Sequence, residues 1–196
     1  MKNILNELKI SVVTTLVFAV LLCGVFPVVV WGAGQLFWPA KANGSLIVDR
    51  DGTIRGSALL AQNFASAKYF HPRASAAGTG YDATSSSGTN LGPTSQKLAD
   101  SVKAAVAAYR AENGLAAGVA VPADAVTSSG SGLDPHISPA NAALQAARVA
   151  TARGLSREKV QALIAAHTDG RDLGVLGEPA VNVLLLNRAL DELPGK

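Results

Sequence analysis

Three side chains that could carry out hydrolysis lie within five residues of the sequence: Asp134, His136 and Ser138. A carboxylate, an imidazole and a hydroxyl are the groups of a serine hydrolase, in which the imidazole takes the hydroxyl proton. The spacing favours a structural interpretation, because serine directly before Pro139 is typical of a helix N-cap and no G-x-S-x-G motif is present. We expect no catalysis here, and a membrane-anchored periplasmic hydrolase using these residues is kept as the alternative.

Other kinds of reactive site have little support in the sequence. The three histidines are far apart and form neither an H-E-x-x-H motif nor a pairing with cysteine, so no metal site is predicted. The only Gly-Lys pair is at the C-terminus, so no phosphate-binding loop of the G-x-x-x-x-G-K-[ST] type is predicted either. Cys23 is the single cysteine and cannot form an internal disulfide.

Length and charge limit the number of domains and the classes of partner. A chain of 196 residues holds one ordinary domain and an additional segment. Beyond Asn43 the sequence has 14 basic and 13 acidic residues. Because nucleic-acid binding requires clustered positive charge, a near-neutral domain without basic runs makes nucleic acid an improbable partner.

An apolar run near the N-terminus precedes the part of the chain that is expected to form the domain. No charged residue lies between Lys9 and Lys41, and residues 10–38 are long enough for a transmembrane helix. We expect residues 1–9 to be a short cytoplasmic segment and residues 43–196 to form the outer domain. Pro27 is expected to kink the helix. A signal peptide cleaved after Ala42 is the competing interpretation, although the apolar run is about twice the usual length of 7 to 15 residues. Charge alone barely favours an N-terminus on the cytoplasmic side.

Small side chains recur every four residues along this helix, at Ser11, Thr15, Ala19 and Cys23. Small residues allow close approach of another helix in lipid, so we predict that this stripe binds a partner helix. The other interpretation is that small residues are simply common in membrane helices.

The outer domain is predicted to be α+β, a single mixed domain with few strands, mostly early in the chain. A hairpin is expected around Arg50-Asp51-Gly52, and residues 74–92 are expected to form a long loop. The apolar periodicity and cap residues predict helices over 96–112, from Ser138-Pro139 to Gly154, and from Ser156 to about His167. Residues 181–193 are expected to be mainly helical, with the nature of their first residues left open.

Several longer motifs resemble one family, the C subunit of the bacterial Kdp potassium-transporting ATPase. The central motif is Ser-Ser-Gly-Ser-Gly-Leu-Asp-Pro-His-Ile-Ser-Pro at 128–139. Other motifs follow in the family's order: Ala42 to Ile47, Tyr69-Phe70, Thr89 to Thr94, Val121-Pro122, Arg148 to Ala150, Gly177 to Pro179, and Val181 to Leu184. The resemblance thus covers nearly the whole chain.

This resemblance implies an accessory subunit that performs no catalysis of its own. Its partners would be a channel-like potassium-translocating subunit, a P-type ATPase subunit and a very small membrane peptide, within the lipid of the inner membrane. It implies a periplasmic domain near the ion entrance, with Asp134 and His136 in the contact surface. It also implies a possible chaperone role that raises the ATP affinity of the ATPase subunit through Gln145. No firmly bound cofactor is expected, and ATP would act through the complex. The other interpretation is that Gln145 is solvated or packs its helix.

Overall fold

A single long helix begins the chain in the computed structural model, which describes residues 2–193. It consists of α1 (Lys2–Ala19), a π-helical turn (Val20–Val25) and α2 (Phe26–Phe37). The π turn lies directly before Pro27, which has no backbone N–H and whose ring would clash with the carbonyl oxygen four residues earlier. The helix therefore accommodates Pro27, where a kink was predicted, through a wider turn.

The length and composition of this helix fit a membrane span. Asn3–Phe37 comprises 35 residues with a mean hydropathy of 2.6 in its most apolar window, and none of that window is buried in the chain. At 1.5 Å per residue the helix is about 52 Å long, against about 30 Å for the hydrocarbon core of a bilayer. The predicted single transmembrane helix is confirmed in these terms.

A short hairpin follows the helix. Trp38 leaves helical geometry, α3 (Pro39–Ala42) adds one turn, and the Gln35 and Asn43 side chains exchange two hydrogen bonds of 3.2 and 3.1 Å. Strands β1 (Leu46–Val48) and β2 (Ile54–Ser57) then pair antiparallel. The predicted hairpin is confirmed, but its connection is five residues long and not a two-residue Asp-Gly turn. The contacts within the chain group this hairpin with the helix in a first unit that ends at Ser57.

The second unit begins at Ala58 and contains the remaining helices. These are α4 (Gln96–Glu112), α5 (Ala123–Val126), α6 (Pro139–Arg153), α7 (Arg157–Ala166) and α8 (Val183–Asp191). Serine or asparagine side chains cap four of them, accepting a hydrogen bond from the backbone three residues later. The predicted helices are confirmed, and residues 74–92 contain neither helix nor strand, as expected.

A three-stranded antiparallel sheet, which the sequence did not predict, joins these helices. Its order is β3 (His136–Ile137), β5 (Ala180–Asn182), β4 (Thr168–Asp169). Val181 of the central strand pairs with Ile137 on one side and Thr168 on the other. The expectation that strands lie mostly early in the chain is therefore wrong. Strands of two or three residues are too short to produce the alternation by which strands are recognised.

The core of the second unit lies between this sheet and helices α6, α7 and α8. It is formed by the buried apolar residues Phe70, Ile137, Ala142, Ala146, Val149, Ala150, Val160, Ile164, Val181, Val183, Leu186 and Leu190. Phe70 reaches this core from an extended segment that belongs to no helix or strand. That segment must therefore be held by other means.

Candidate functional site

Asp134 contacts both His136, the other residue predicted to lie in the contact surface, and Arg73. Its Oδ1 lies 3.4 Å from Nδ1 of His136 and accepts the His136 backbone N–H at 3.0 Å, while its Oδ2 accepts from Nη1 of Arg73 at 3.2 Å. Arg73 also donates to the Ser128 carbonyl oxygen at 3.1 Å. The structure thus brings the two predicted residues together and adds Arg73, which the sequence did not single out.

This arrangement alters the acidity of both titratable groups. The hydrogen bond from His136 lowers the pKa of Asp134 below its usual range, against the opposing effect of partial burial. The same bond raises the pKa of His136. Each side chain remains about one third exposed, so both are accessible to a partner while they contact each other.

A polar cleft of about 650 Å³ opens beside this pair. Its lining consists of Asp134, His136, Asp169, Gly170, Arg171, Asp172, Glu178 and Ala180. Four carboxylates face one guanidinium, so the cleft carries a net negative charge. Half of the lining residues belong to the β4–β5 connection, and the sequence analysis did not select that connection as a site.

Ser138 is not arranged as a nucleophile in this structure. Its Oγ donates to Oδ1 of Asp124 at 2.9 Å and accepts from the Asn141 backbone N–H at 3.1 Å, as a helix cap does. Within the part of the chain that the structure describes, no hydrogen bond joins Ser138 to His136. The geometry therefore gives no support to the hydrolase alternative, because the imidazole does not reach the hydroxyl proton.

Gln145 lies inside the domain and not on its surface, with only 1% of its area exposed. Its Oε1 accepts from the backbone N–H of His71 and from Nη2 of Arg148, both at 2.8 Å. Its Nε2 donates to the carbonyl oxygen of His71 at 3.1 Å and to Oδ1 of Asn141 at 2.9 Å. Both amide atoms thus have two protein partners, which favours the helix-packing interpretation. The contact of Gln145 with nucleotide stays a prediction.

A second carboxamide holds the preceding residue in the same way. Oδ1 of Asn187 accepts from the Phe70 backbone N–H at 2.8 Å, and its Nδ2 donates to the Phe70 carbonyl oxygen at 2.9 Å. We call Gln145 and Asn187 with the backbone of residues 70–71 the amide clamp. The clamp supplies the hydrogen bonds that a neighbouring strand would otherwise provide. Sequence reasoning missed Asn187, because nothing local marks a buried asparagine in an apolar helix.

Arg148 adds hydrogen bonds next to the clamp, all of them donated to uncharged oxygen atoms. Its Nη1 donates to the carbonyl oxygens of Ala67 and Tyr69 at 2.7 and 2.9 Å, and its Nε donates to Oδ1 of Asn113 at 3.0 Å. Burial lowers the pKa of Arg148 from its usual value. The Arg148 side chain therefore holds the residues that directly precede Phe70.

The glycines of the central motif allow the long loop to approach closely. Gly132 has φ +71°, and a Cβ atom there would come within 2.7 Å of the Ala77 nitrogen and the Ser87 oxygen. The Ser87 N–H donates to the Ser131 carbonyl oxygen at 3.0 Å, and the Ser129 N–H donates to that of Ala74 at 3.0 Å. Residues 74–92 are thus attached to the motif by backbone hydrogen bonds.

In the membrane helix, the small-residue stripe carries one hydrogen bond of its own. Oγ1 of Thr15 donates to the Ser11 carbonyl oxygen at 2.8 Å, so the Thr15 hydroxyl is hydrogen-bonded within the helix. Cys23 is exposed in the π turn. No group of three or more His, Cys, Asp or Glu residues that could hold a metal occurs among residues 2–193.

Comparison with known proteins decides the family. The model of the KdpC family, described as K+-transporting ATPase, c chain, matches residues 8–192. The chain belongs to the KdpC family.

Curated relatives cover the same extent. A protein of Mycobacterium tuberculosis (strain ATCC 25618 / H37Rv), named Potassium-transporting ATPase KdpC subunit, is 57% identical over 188 residues, which are 96% of this chain and 99% of the relative. Proteins of the same name from Caulobacter sp. (strain K31) and Caulobacter vibrioides (strain NA1000 / CB15N) are 54% and 55% identical over 187 residues. These matches cover 95% of this chain and 94% and 93% of the two relatives. The resemblance stated from the motifs is confirmed.

The KdpC match includes both units of the chain. It begins within the apolar helix and ends directly after α8, so most of the helix, the central motif and the amide clamp lie inside the family region. The family match therefore includes the apolar helix as well as the second unit.

Proposed function

We propose that this chain is a non-catalytic accessory subunit of an ATP-driven potassium uptake complex in the inner membrane. Membership of the KdpC family supports this proposal. The observation that carries it is the apolar helix Asn3–Phe37, whose most apolar window has no buried residue and which must be covered by lipid or by other helices.

A single helix cannot itself conduct an ion. A pore requires several spans or a closed ring, whereas the described chain has one helix that could cross a membrane. Transport must therefore depend on other subunits. We infer that these are a channel-like potassium-translocating subunit, a P-type ATPase subunit and a small membrane peptide.

The orientation that we propose has the N-terminus in the cytoplasm and the second unit in the periplasm. Lys9 lies in the short flank, and Lys41 follows the helix. The basic residues of the two flanks are similar in number, Lys2 and Lys9 before the helix and Lys41, Arg50 and Arg55 after it, so the family resemblance is what supports the orientation. The domain would then lie on the side from which potassium enters.

The membrane helix would bind the channel-like subunit through the stripe of Ser11, Thr15, Ala19 and Cys23. Close helix approach in lipid depends on small side chains, because no hydrophobic effect drives association there. The Thr15 hydroxyl already donates to the Ser11 carbonyl oxygen within the helix, so it needs no acceptor from the partner.

The domain would brace the channel-like subunit and shape access to the ion entrance, with Asp134 and His136 in the contact surface. Their part-exposed position at the mouth of the acidic cleft supports this role. We propose no firmly bound cofactor for this chain, and ATP would act through the complex. For Gln145 the geometry supports a stabilising role, which by itself could change ATP coupling when the residue is replaced.

Deletion of the gene for this chain tests the function. High-affinity potassium uptake should be lost while the other subunits are still made, as measured by growth at low potassium and by immunoblotting of membranes. Expression of the intact chain should restore uptake, and expression of the Ser138→Ala variant should restore it as well. Uptake of normal affinity without the chain would contradict the proposal.

A further inference from the structure

The β4–β5 connection exposes an unusual concentration of apolar side chains. Leu173, Val175 and Leu176 are 90%, 72% and 58% exposed within four residues. Among the described residues of the second unit, only Leu59 and Leu185 are other large apolar side chains that are exposed. We call residues 171–178 the apolar tip. Exposed apolar groups concentrated in this way are typical of a binding surface.

The backbone of the apolar tip is fixed by its own hydrogen bonds. The N–H groups of Asp172 and Leu176 each donate to the carbonyl oxygen of the other at 2.9 Å, and the Gly174 N–H donates to the Arg171 carbonyl oxygen at 3.1 Å. Nη2 of Arg171 lies 2.6 Å from Oε2 of Glu178 and closes the base. The tip is thus ordered before any partner binds, which lowers the entropy lost on binding.

Leu173 occupies a backbone conformation that leucine rarely adopts. Its φ is +53°, and its side chain contributes nothing to the domain core because 90% of it is exposed. Asparagine or glycine would fit this conformation with less strain. A leucine that is strained, exposed and unused by its own domain is best explained by a contact outside the domain.

The charge around the tip indicates what it contacts. Asp172 and Glu178 border the apolar side chains, and Asp134 and Asp169 continue the acidic surface into the adjoining cleft. Arg171, the guanidinium in that lining, is paired with Glu178. We propose that the apolar tip inserts into an apolar pocket bordered by lysine or arginine side chains on another subunit of the transport complex. This inference rests on the proposed function and names a surface for it.

The same charges disfavour insertion into a lipid surface. Membrane-binding segments carry lysine and arginine near anionic headgroups, whereas this tip carries two carboxylates and one guanidinium, which is paired with Glu178. A protein partner with opposite charge satisfies both the apolar and the acidic parts of the surface.

Site-specific photo-crosslinking in the assembled complex tests this proposal. A photoreactive residue replaces Leu173 in the full chain, in native membranes, and the same residue replaces Leu185 as the control on α8. The chain is then purified through an affinity tag, and its adducts are mapped by mass spectrometry. Thermal unfolding of each labelled chain, which should match that of the parent, checks that the fold is retained.

We expect position 173 to form adducts with another subunit at least about tenfold more efficiently than position 185. The adduct should map to apolar residues that adjoin lysine or arginine. Adding Asp172→Lys should reduce the yield at position 173 at least about threefold, because it opposes the basic border.

Two outcomes overturn the proposal in distinguishable ways. In the first, position 173 forms adducts only with lipid, or forms none, although the preparation still contains the other subunits. That result would overturn binding by the apolar tip and leave the proposed function unaffected. Recovery of the tagged chain without any other subunit would overturn both. An adduct at a site without basic residues, or one unaffected by Asp172→Lys, would overturn the stated chemistry of the partner.

Discussion

The side-chain amide of Gln145 forms hydrogen bonds with both backbone groups of His71, the N–H at 2.8 Å and the carbonyl oxygen at 3.1 Å. Asn187 repeats the arrangement on Phe70. Two helices thus hold a segment that has no strand neighbour, and they place the Phe70 ring in the core. The clamp explains how an irregular segment can be buried without orphaned backbone groups.

Replacing Gln145 by alanine should destabilise the domain by about 3 kcal/mol, because buried donors and acceptors on His71, Asn141 and Arg148 lose their partner. Urea unfolding of the full chain in detergent, followed by circular dichroism, measures this change. Gln161→Ala is the matched control, since Gln161 is exposed on α7, and it should change stability by less than about 0.5 kcal/mol. Equal stabilities for the two variants would contradict the clamp.

Gly132→Ala should destabilise the domain by about 2 to 4 kcal/mol and release residues 74–92. The new Cβ atom would meet two backbone atoms at 2.7 Å, in a conformation that disfavours alanine. Gly130→Ala is the control, because no atom lies within 4 Å of its Cβ position. Hydrogen exchange of the loop amides should accelerate in the first variant only. Protection that persists in Gly132→Ala would show that the close approach is not required.

Ser138→Ala should cost about 1 to 2 kcal/mol and leave potassium uptake intact, because Ser138 caps α6 and also donates to Asp124. Ser156→Ala removes the cap of α7 alone and should cost about 1 kcal/mol or less. Unfolding and low-potassium growth measure the two effects. Complete loss of function in a stable Ser138→Ala protein would revive a catalytic interpretation.

The two histidines with altered acidity should titrate in a fixed order. The hydrogen bond with Asp134 raises the pKa of His136, whereas burial and the nearby Arg148 charge lower the pKa of His71. NMR titration of the imidazole Cε1–H signals should therefore find His136 above 6.5 and His71 below it. Asp134→Asn should lower the pKa of His136 and leave that of His71 unchanged. The reverse order would exclude the Asp134–His136 contact.

The effect on stability follows from the sign of each shift. Because the pKa of His136 is raised, its stabilising contribution is complete below about pH 6.5 and is lost as the pH rises through the folded value. Because the pKa of Asp134 is lowered, its contribution is present above about pH 3.9 and is lost on further acidification. The pair is part-exposed and screened by solvent, so each effect should stay below about 1 kcal/mol.

The sequence predicted those parts of the structure that local signals determine. Helix α4 was expected over 96–112 and runs Gln96–Glu112, because Ser95 caps it and its apolar positions recur at helical spacing. Asn182 ends β5 and caps α8, so the ambiguity at the start of the last apolar run reflects a residue with both functions. The membrane helix was predicted from length and the absence of charge.

The contacts that are distant in sequence were not predicted. Asn187 and Phe70 are 117 residues apart, and Gln145 and His71 are 74 apart, so no local pattern marks them. The three-stranded sheet escaped prediction for the same reason, since its strands form only when β5 lies between β3 and β4. Asp134 and His136, both named from the sequence, are in contact, but Arg73, which also contacts Asp134, lies 61 residues away.

Ala19→Phe should weaken the association of the membrane helix with its partner. The bulky ring would keep another helix from approaching the stripe that includes Ser11 and Thr15. Val17→Phe is the control, because residue 17 lies about 160° away around the helix at 100° per residue. The measurement is the amount of channel-like subunit that co-purifies from detergent extracts. Equal recovery with both variants would rule out a role for the stripe.

We expect this chain to work as a membrane-anchored subunit of a larger transporter. Affinity purification of the tagged chain from solubilised membranes, with mass spectrometry of everything recovered, tests it most directly. We expect an intact chain that retains residues 10–38, requires detergent, and co-purifies with the channel-like and P-type ATPase subunits of a potassium transporter. Recovery of a chain from the soluble fraction, shortened at its N-terminus and without other subunits, would show that it is not an anchored subunit.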